Sequence, residues 1–256
     1  MTTTGDIEFI CLGSGSSGNA YVLKKGDSCV LVECGFESKK LIAKLLEFGI
    51  SLNSLDAVII THKHGDHAKS LKYLIDNLIP AYAPKTALND GDLLNSNVHI
   101  IEDGSKFKVT EWLSVYCFSV VHDVEAYGFA FLDTQSKQSI LFINDTKCFD
   151  FKLNDYLFDY VFIECNHIRK QLEVVMNTAL LNGKEGEVFK YKRQASFHMS
   201  LYACKKFLRR MNLSKTKAIF LMHLSRELCN DMVIKNEISS VFGIKTYVCY
   251  AEGGIN

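Results

Sequence analysis

The residues best suited to chemistry are three histidines and an aspartate in one short segment. The segment covers residues 61–67, reads Thr-His-Lys-His-Gly-Asp-His, and directly follows an apolar run. A turn at the end of a strand can aim His62 and His64 at one metal ion, and Asp66 and His67 at a neighbouring one. Imidazole and carboxylate ligands suit Zn²⁺, and also Mn or Fe. The alternative is a polar loop that happens to be rich in histidine, and later residues of the chain weigh against it.

Further potential ligands occupy equivalent places along the chain. Each of them lies just beyond an apolar run of strand length: His122, Asp145 and His223. Taken singly, a histidine after a strand is more often structural than a ligand. Because open α/β sheets bind their ligands at the carboxyl ends of strands, we expect these groups to converge on one edge.

The elements that position these residues are short runs rich in Val, Ile and Phe. Bounded by turn or polar residues, such runs predict strands, and they cover residues 7–12, 20–23, 29–32, 57–60, 115–121, 129–132, 140–143, 160–163, 218–222 and 246–250. Helical spacing of apolar residues predicts helices within 38–49, 71–78 and 201–211. The mixture predicts an α/β protein in which helices cover large sheets, with residues 1–256 forming a single domain.

One stretch departs from this pattern. Residues 169–193 are polar and mixed in charge, which predicts a surface excursion. Phe189 and Tyr191 are candidates for stacking on a nucleobase across a dimer. An ordinary surface or dimer-contact loop explains the stretch equally well.

The metal-binding pattern resembles that of the metallo-β-lactamase superfamily through nearly the whole chain. The resemblance rests on the ordered set His62, His64, Asp66, His67, His122, Asp145 and His223. It implies a four-layer αββα sandwich with two divalent metal ions at one edge, Zn²⁺ or alternatively Mn²⁺. It also implies which residues bind which ion: His62, His64 and His122 the first, Asp66, His67 and His223 the second, with Asp145 bridging both.

One position departs from the family's pattern. Glu33 stands where the family has an aspartate that supports the ligands. A longer side chain there affects how the metal ligands are oriented more than whether a metal ion is bound.

Three later segments resemble tRNase Z enzymes. They are Phe162-Ile163-Glu164, residues 196–200 and residues 221–226. The resemblance implies that Glu164 and His198 shuttle a proton to the leaving oxygen and that Asp66 also accepts a proton. It further implies substrate contacts by Ser225 and Arg226. The plainer alternatives are a surface carboxylate at a strand end for Glu164 and a polar residue before a helix for His198.

The glycine-rich opening at residues 12–19 resembles that of YycJ-type bacterial exonucleases and of the phage anti-Pycsar cyclic-nucleotide phosphodiesterases. From its residues alone it is a turn whose N–H groups could approach an anion, and a plain turn is the simpler interpretation.

Length and charge restrict the classes of substrate that the chain can be expected to bind. The chain has 256 residues with 29 basic and 29 acidic side chains, so no broad basic surface is indicated. It is too short for the extra domain of β-CASP nucleases. A tRNA-processing enzyme would carry a basic arm between Asp145 and Glu164, where only the 18 residues 146–163 lie, so it is the least favoured of the phosphodiesterases. We expect a phosphodiesterase that converts 3′,5′-cyclic mononucleotides to 5′-monophosphates and acts as a homodimer. A YycJ-like 5′–3′ DNA exonuclease, with nucleic acid as partner, and a non-catalytic nucleotide-sequestering protein remain open.

The N-terminus is polar, and no run is long enough to span a membrane, so no membrane partner is expected. The nine cysteines are scattered without a CxxC pair, which is typical of buried thiols in a reducing cytoplasm.

Overall fold

The architecture consists of two packed β-sheets with helices on their outer faces. The structure is a computed structural model that describes residues 5–148 and 156–256. The strands in these residues are β1 (Glu8–Gly13), β2 (Ala20–Lys25), β3 (Ser28–Val32), β4 (Leu55–Ile59), β5 (Ala81–Pro84), β6 (Val98–Ile101), β7 (Lys106–Lys108), β8 (Leu113–Ser119), β9 (Tyr127–Asp133), β10 (Ser139–Ile143), β11 (Tyr160–Glu164), β12 (Ala218–Met222) and β13 (Lys245–Val248). The α-helices are α1 (Ser38–Glu47), α2 (Gly65–Ala68), α3 (Leu71–Asp76), α4 (Arg169–Leu181), α5 (Glu185–Phe197), α6 (Leu201–Leu208) and α7 (Asp231–Phe242).

The order of the strands determines which chain segments meet at one edge. The first sheet has the order β1-β2-β3-β4-β5-β6, antiparallel up to β3 and parallel from there on. The second has the order β13-β12-β11-β10-β9-β8-β7, parallel from β10 to β13 and antiparallel from β10 to β7. Since β8 therefore runs in the same direction as β10, β11 and β12, their carboxyl ends lie at the same edge.

Three apolar cores hold the layers together. Aromatic side chains such as Tyr21, Phe129 and Phe162 fill the space between the sheets. Helices α1 and α3 cover the first sheet, and α6 and α7 cover the second, each with apolar side chains buried against it. The predicted four-layer αββα sandwich is therefore confirmed.

The strands that the sequence did not predict are short and peripheral. All ten apolar runs form strands and all three periodic patterns form helices, but β5, β6 and β7 have only 4, 4 and 3 residues. Strand β6, at one edge of the first sheet, contains the apolar residues Val98, Ile100 and Ile101, but a run of 4 residues is too short to predict a strand.

The polar stretch predicted as an excursion forms α4 and α5, which pack against each other as a helical hairpin. Their shared core is small and includes Leu172, Val188 and Tyr191 together with Leu228. Tyr191 is thus buried and unavailable for stacking on a base, whereas Phe189 is 72% exposed.

Among the described residues, no helix combines the length and the apolar character needed to cross a membrane.

Candidate metal centre

The segment with three histidines joins the two sheets. It follows β4 of the first sheet, and His62 forms an antiparallel bridge with Ala126 next to the second sheet. The Tyr127 backbone N–H also donates to the Thr61 carbonyl at 3.1 Å. The segment is therefore held between the sheets, where the other strand ends arrive.

Three histidine nitrogens face one another at this edge. His62 Nε2 lies 3.0 Å from His64 Nδ1, and His122 Nε2 lies 3.2 Å from the same atom. His62 is fully buried, and burial lowers its pKa well below the usual value. Three neutral imidazoles with converging nitrogens form a donor set that fits a divalent cation.

A second group lies beside the first. Asp66 Oδ2 lies 3.5 Å from His223 Nε2 and 3.6 Å from His67 Nε2. Burial alone would raise the pKa of Asp66, but hydrogen bonds from these two histidines lower it well below its usual range. The carboxylate is therefore ionised and can bind a cation together with both rings.

Asp145 stands between the two groups. Its Oδ2 lies 3.3 Å from His67 Nε2 and 3.9 Å from His62 Nε2, and its Oδ1 lies 3.5 Å from His223 Nε2. Oδ1 is buried and accepts no hydrogen bond from the described residues. A buried carboxylate oxygen without a donor is costly, so this atom fits a site for a cation.

Three residues of the site adopt a left-handed backbone. Glu33, Asp145 and His223 have φ values of 66°, 46° and 54°, and they are three of the five described non-glycine residues with positive φ. This conformation costs free energy and persists only where the surrounding structure imposes it. The strain is therefore concentrated at the candidate metal centre.

Glu33 supports one ligand from each group. Its Oε1 accepts a hydrogen bond from Thr61 Oγ1 at 2.5 Å and lies 3.2 Å from His67 Nδ1. The same threonine hydroxyl lies 2.8 Å from His62 Nδ1. With these Nδ1 atoms facing acceptors, the Nε2 atoms of both rings are left to face the site.

The glycine-rich turn supports the histidine segment from behind. Asn19 donates to the Asp66 carbonyl through its backbone N–H at 2.8 Å and its side chain at 3.1 Å. Inside the turn, Gly15 N–H donates to the Asn19 side chain at 2.9 Å and Gly18 N–H donates to the Gly15 carbonyl at 2.9 Å. Since the N–H groups of Gly15, Gly18 and Asn19 are already used, the turn acts as a structural support for Asp66.

The side chains of Glu164 and His198 contact each other at this edge. His198 Nδ1 lies 2.6 Å from Glu164 Oε1, and the fully buried carboxylate also accepts from the Thr146 N–H at 2.9 Å. Burial lowers the pKa of His198, but the negative charges of Glu164 and then Asp145 outweigh it and raise the pKa to about 9. The imidazole is therefore charged at neutral pH and stacks on His223 with ring centroids 5.1 Å apart.

The predicted substrate contacts, Ser225 and Arg226, lie two and three residues beyond His223. The Ser225 N–H donates to the Asn166 carbonyl at 2.9 Å. Arg226 is largely exposed and pairs with Glu252. Their role in substrate binding stays a prediction.

Two residues at this edge were missed by the sequence analysis. Arg193 on α5 donates to Asp123 Oδ2 through Nη2 at 2.7 Å and Nε at 3.1 Å, and its Nη2 lies 3.2 Å from His64 Nε2. Their 70-residue separation and the polar surroundings of both gave no signal in the sequence.

Comparisons with known proteins agree with the architecture. The model of the metallo-beta-lactamase superfamily matches residues 13–86. Exodeoxyribonuclease WalJ of Streptococcus pneumoniae serotype 2 (strain D39 / NCTC 7466) is 29% identical over 231 residues, which covers 86% of this chain and 82% of that protein. The metallo-beta-lactamase fold protein YhfI from Bacillus subtilis superposes with a TM-score of 0.73 at 17% identity, covering 98% of both chains. Human tRNase Z, short form, superposes with a TM-score of 0.63 at 15% identity, covering 97% of this chain and 98% of the other.

Proposed function

Because this chain is a metal-dependent hydrolase with the metallo-β-lactamase fold, we propose that it hydrolyses phosphodiester bonds of nucleotides. The observation that carries the proposal is the contact of 2.6 Å between His198 Nδ1 and Glu164 Oε1, at the edge where the two ligand groups meet. A charged imidazole at that place suits protonation of a leaving alkoxide oxygen.

The residues that would hold two divalent ions are those already grouped by geometry. His62, His64 and His122 would form one set, and Asp66, His67 and His223 the other. Asp145 clusters with the second set and lies 3.9 Å from His62 Nε2, so it would be shared. Zn²⁺ suits these imidazole and carboxylate donors, with Mn²⁺ as the alternative. Two bound ions supply Lewis acidity for the phosphoryl oxygens and lower the pKa of the attacking water.

The chain's own side chains supply the proton transfers. Asp66, whose Oδ2 belongs to the second ligand group and is partly exposed, is assigned as the acceptor of the proton of the attacking water. His198 donates its Nε2 proton to the departing 3′-oxygen, and the Glu164 contact at Nδ1 keeps the ring oriented and charged. The bond from phosphorus to the 3′-oxygen breaks, and a 5′-monophosphate leaves.

We propose 3′,5′-cyclic mononucleotides as the substrate. Two observations support a small substrate. The chain carries no excess of basic residues. In addition, α5 lies beside the metal edge, where Lys190 pairs with Glu227 and Arg193 pairs with Asp123. A helix fixed by these two ion pairs limits the space for a substrate to approach the ligands.

A DNA end is the second candidate substrate. It is favoured by the similarity to exodeoxyribonuclease WalJ, which extends over 82% of that protein. The same ligands and the same His198–Glu164 pair would serve this reaction, because the bond cleaved is again a phosphodiester.

A hydrolysis panel tests the proposal. Metal-loaded protein is given cyclic mononucleotides, cyclic dinucleotides, single-stranded DNA and bis(p-nitrophenyl) phosphate at equal enzyme concentration. The double variant His62→Ala with His64→Ala should lose bound metal and turnover. His99→Ala is the matched control, since His99 lies exposed on β6, stacked on Tyr82.

The panel also separates the alternatives. Cleavage of DNA without cleavage of cyclic nucleotides identifies the exonuclease. Tight nucleotide binding without turnover, together with fewer than about one metal ion per chain, identifies a sequestering protein and refutes the hydrolytic proposal.

We further propose a cytoplasmic homodimer. The free thiols, seven of nine of them buried, suit a reducing compartment. The helical hairpin exposes Leu181 at 89% and Phe189 at 72%, which suits a surface between subunits. Light scattering on the purified protein measures the oligomeric state, and a monomer at micromolar concentration would contradict the dimer.

A further inference from the structure

Helix α5 carries a cation at the metal edge that the proton-transfer scheme does not use. Arg193 is the residue of α5 whose guanidinium contacts both Asp123 and the ring of His64. Asp123 directly follows His122, and its Oδ1 lies 3.1 Å from His122 Nε2 and 3.4 Å from His64 Nε2. The carboxylate thus occupies a place beside one group of three histidines, on the side open to solvent.

From this geometry we infer that Arg193 binds a phosphoryl group of the substrate. Without substrate, its guanidinium is paired with the Asp123 carboxylate, which the phosphoryl group replaces. The inference rests on the proposed function, because it assigns a recognition residue to the same site. Arg193 then determines affinity for the phosphate, whereas His198 and Glu164 act on the leaving group.

The chemistry of the pair supports this assignment. A guanidinium presents a planar fork of donors that matches a carboxylate and a phosphate in the same way. Arg193 already donates to one carboxylate oxygen through two of its nitrogens, so it is oriented for an oxyanion at this place. A phosphoryl group can therefore replace the Asp123 carboxylate without a new arrangement of the arginine.

The exposure of the pair makes such an exchange feasible. The Arg193 side chain is 47% exposed and that of Asp123 is 21% exposed. Ion pairs open to solvent contribute little to stability, so their replacement by a second anion costs little.

The hairpin itself holds the arginine in place. About one turn before Arg193, Lys190 pairs with Glu227 at 2.8 Å and the Tyr191 hydroxyl donates to the same carboxylate at 3.4 Å. Val188 and Tyr191 are buried in the small core that α4 and α5 share with Leu228. The position of Arg193 is therefore maintained without its contact to Asp123.

Substitutions of Arg193 and of Asp123 distinguish phosphate recognition by Arg193 from a purely structural contact between the two residues. Arg193→Ala removes the phosphate donor, and we expect KM to rise about 10- to 100-fold, with kcat changed less. Arg193→Lys, which keeps the charge but not the fork, should fall between. Asp123→Asn removes the competing anion while keeping an acceptor oxygen for His64, and KM should fall or stay unchanged.

The measurements use metal-loaded protein with bis(p-nitrophenyl) phosphate for turnover and inorganic phosphate for binding by calorimetry. Lys192→Ala is the matched control, because Lys192 is an exposed neighbouring cation on the same helix. The metal content of each variant is measured alongside. Weaker phosphate binding in Arg193→Ala, but not in Lys192→Ala, supports the inference.

Two results overturn it. If Arg193→Ala and Asp123→Asn raise KM and weaken phosphate binding alike, the pair only fastens the hairpin to the domain. If Arg193→Ala leaves both values within about twofold of the wild type, the arginine does not bind phosphate. Should the wild type hydrolyse no phosphodiester, the proposed function fails, and the phosphate-binding comparison still decides the role of Arg193.

Discussion

Replacing Glu33 by glutamine should weaken both metal equivalents, because this single side chain supports a ligand in each group. The carboxylate contacts His67 directly and reaches His62 through the Thr61 hydroxyl. Glu33 is fully buried, so water cannot take over these interactions. In Glu33→Gln the amide can keep an oxygen at the Oε1 place, but its NH₂ group would then face the Thr61 N–H, which now donates to Oε2 at 3.3 Å.

The expected magnitude follows from the hydrogen bonds that the substitution weakens. A hydrogen bond to a charged group is worth about 1.5–3 kcal/mol, which corresponds to about 10- to 100-fold in affinity for each ion. Removal of groups that orient metal-bound histidines has effects of the same size. Competitive calorimetry of the metal-free protein with Zn²⁺ and a chelator measures both binding constants.

Thr61→Val provides the discriminating variant. Valine resembles threonine in shape but lacks the hydroxyl between Glu33 and His62, while the Glu33–His67 contact is retained. One metal equivalent should therefore weaken about tenfold and the other should keep its affinity. If Thr61→Val weakens both ions equally, or Glu33→Gln weakens neither, the reasoning about this support is refuted. Thermal unfolding of the metal-free variants checks that both remain folded.

Three further predictions concern protonation and packing. Because the Glu164 carboxylate raises the pKa of His198 to about 9, the activity that depends on the protonated ring should fall as pH rises through that value. In Glu164→Gln the fall in kcat should occur at lower pH, which a kcat–pH profile measures. Burial lowers the pKa of His167 to about 4, so the folded state resists its protonation; the metal-free protein should lose about 2 kcal/mol between pH 7 and pH 5 from this group, and His167→Gln should flatten the profile in chemical denaturation. A Cβ at residue 35 would lie 1.7 Å from the Asp66 carbonyl oxygen, so Gly35→Ala should cost about 1–3 kcal/mol of stability and reduce metal content, measured by denaturation and elemental analysis; an unchanged variant would contradict this close approach.

The core of the fold and the ligand positions were predictable because both depend on local patterns. Each strand that carries a ligand is an apolar run buried within the sandwich, and the ligand follows where the run ends. His122 and His223, for example, follow β8 and β12, whose carboxyl ends reach the same edge. The elements missed among the strands, β5 to β7, have too few residues for a period to show.

Other features depend on contacts between distant residues. No local pattern connects Arg193 with Asp123. The helical spacing of Leu172, Val175, Met176 and Ala179 is present in the sequence, but the charged residues around it indicated a surface excursion. The contacts of Glu33 could not be predicted from the sequence either. They depend on its left-handed backbone and on the position of Thr61. Such features follow from the packed structure.

The origin of the candidate ligands in two different sheets has a mechanical consequence. Residues 62–67 belong to a loop of the first sheet, whereas His122, Asp145 and His223 follow strands of the second. Ions bound by both sets would link the two sheets. They would close chain loops of many residues, as covalent cross-links do. Chelation of the ions would then remove both links at once. The packed interface between the two sheets, rather than either sheet alone, would be the first part of the molecule to open.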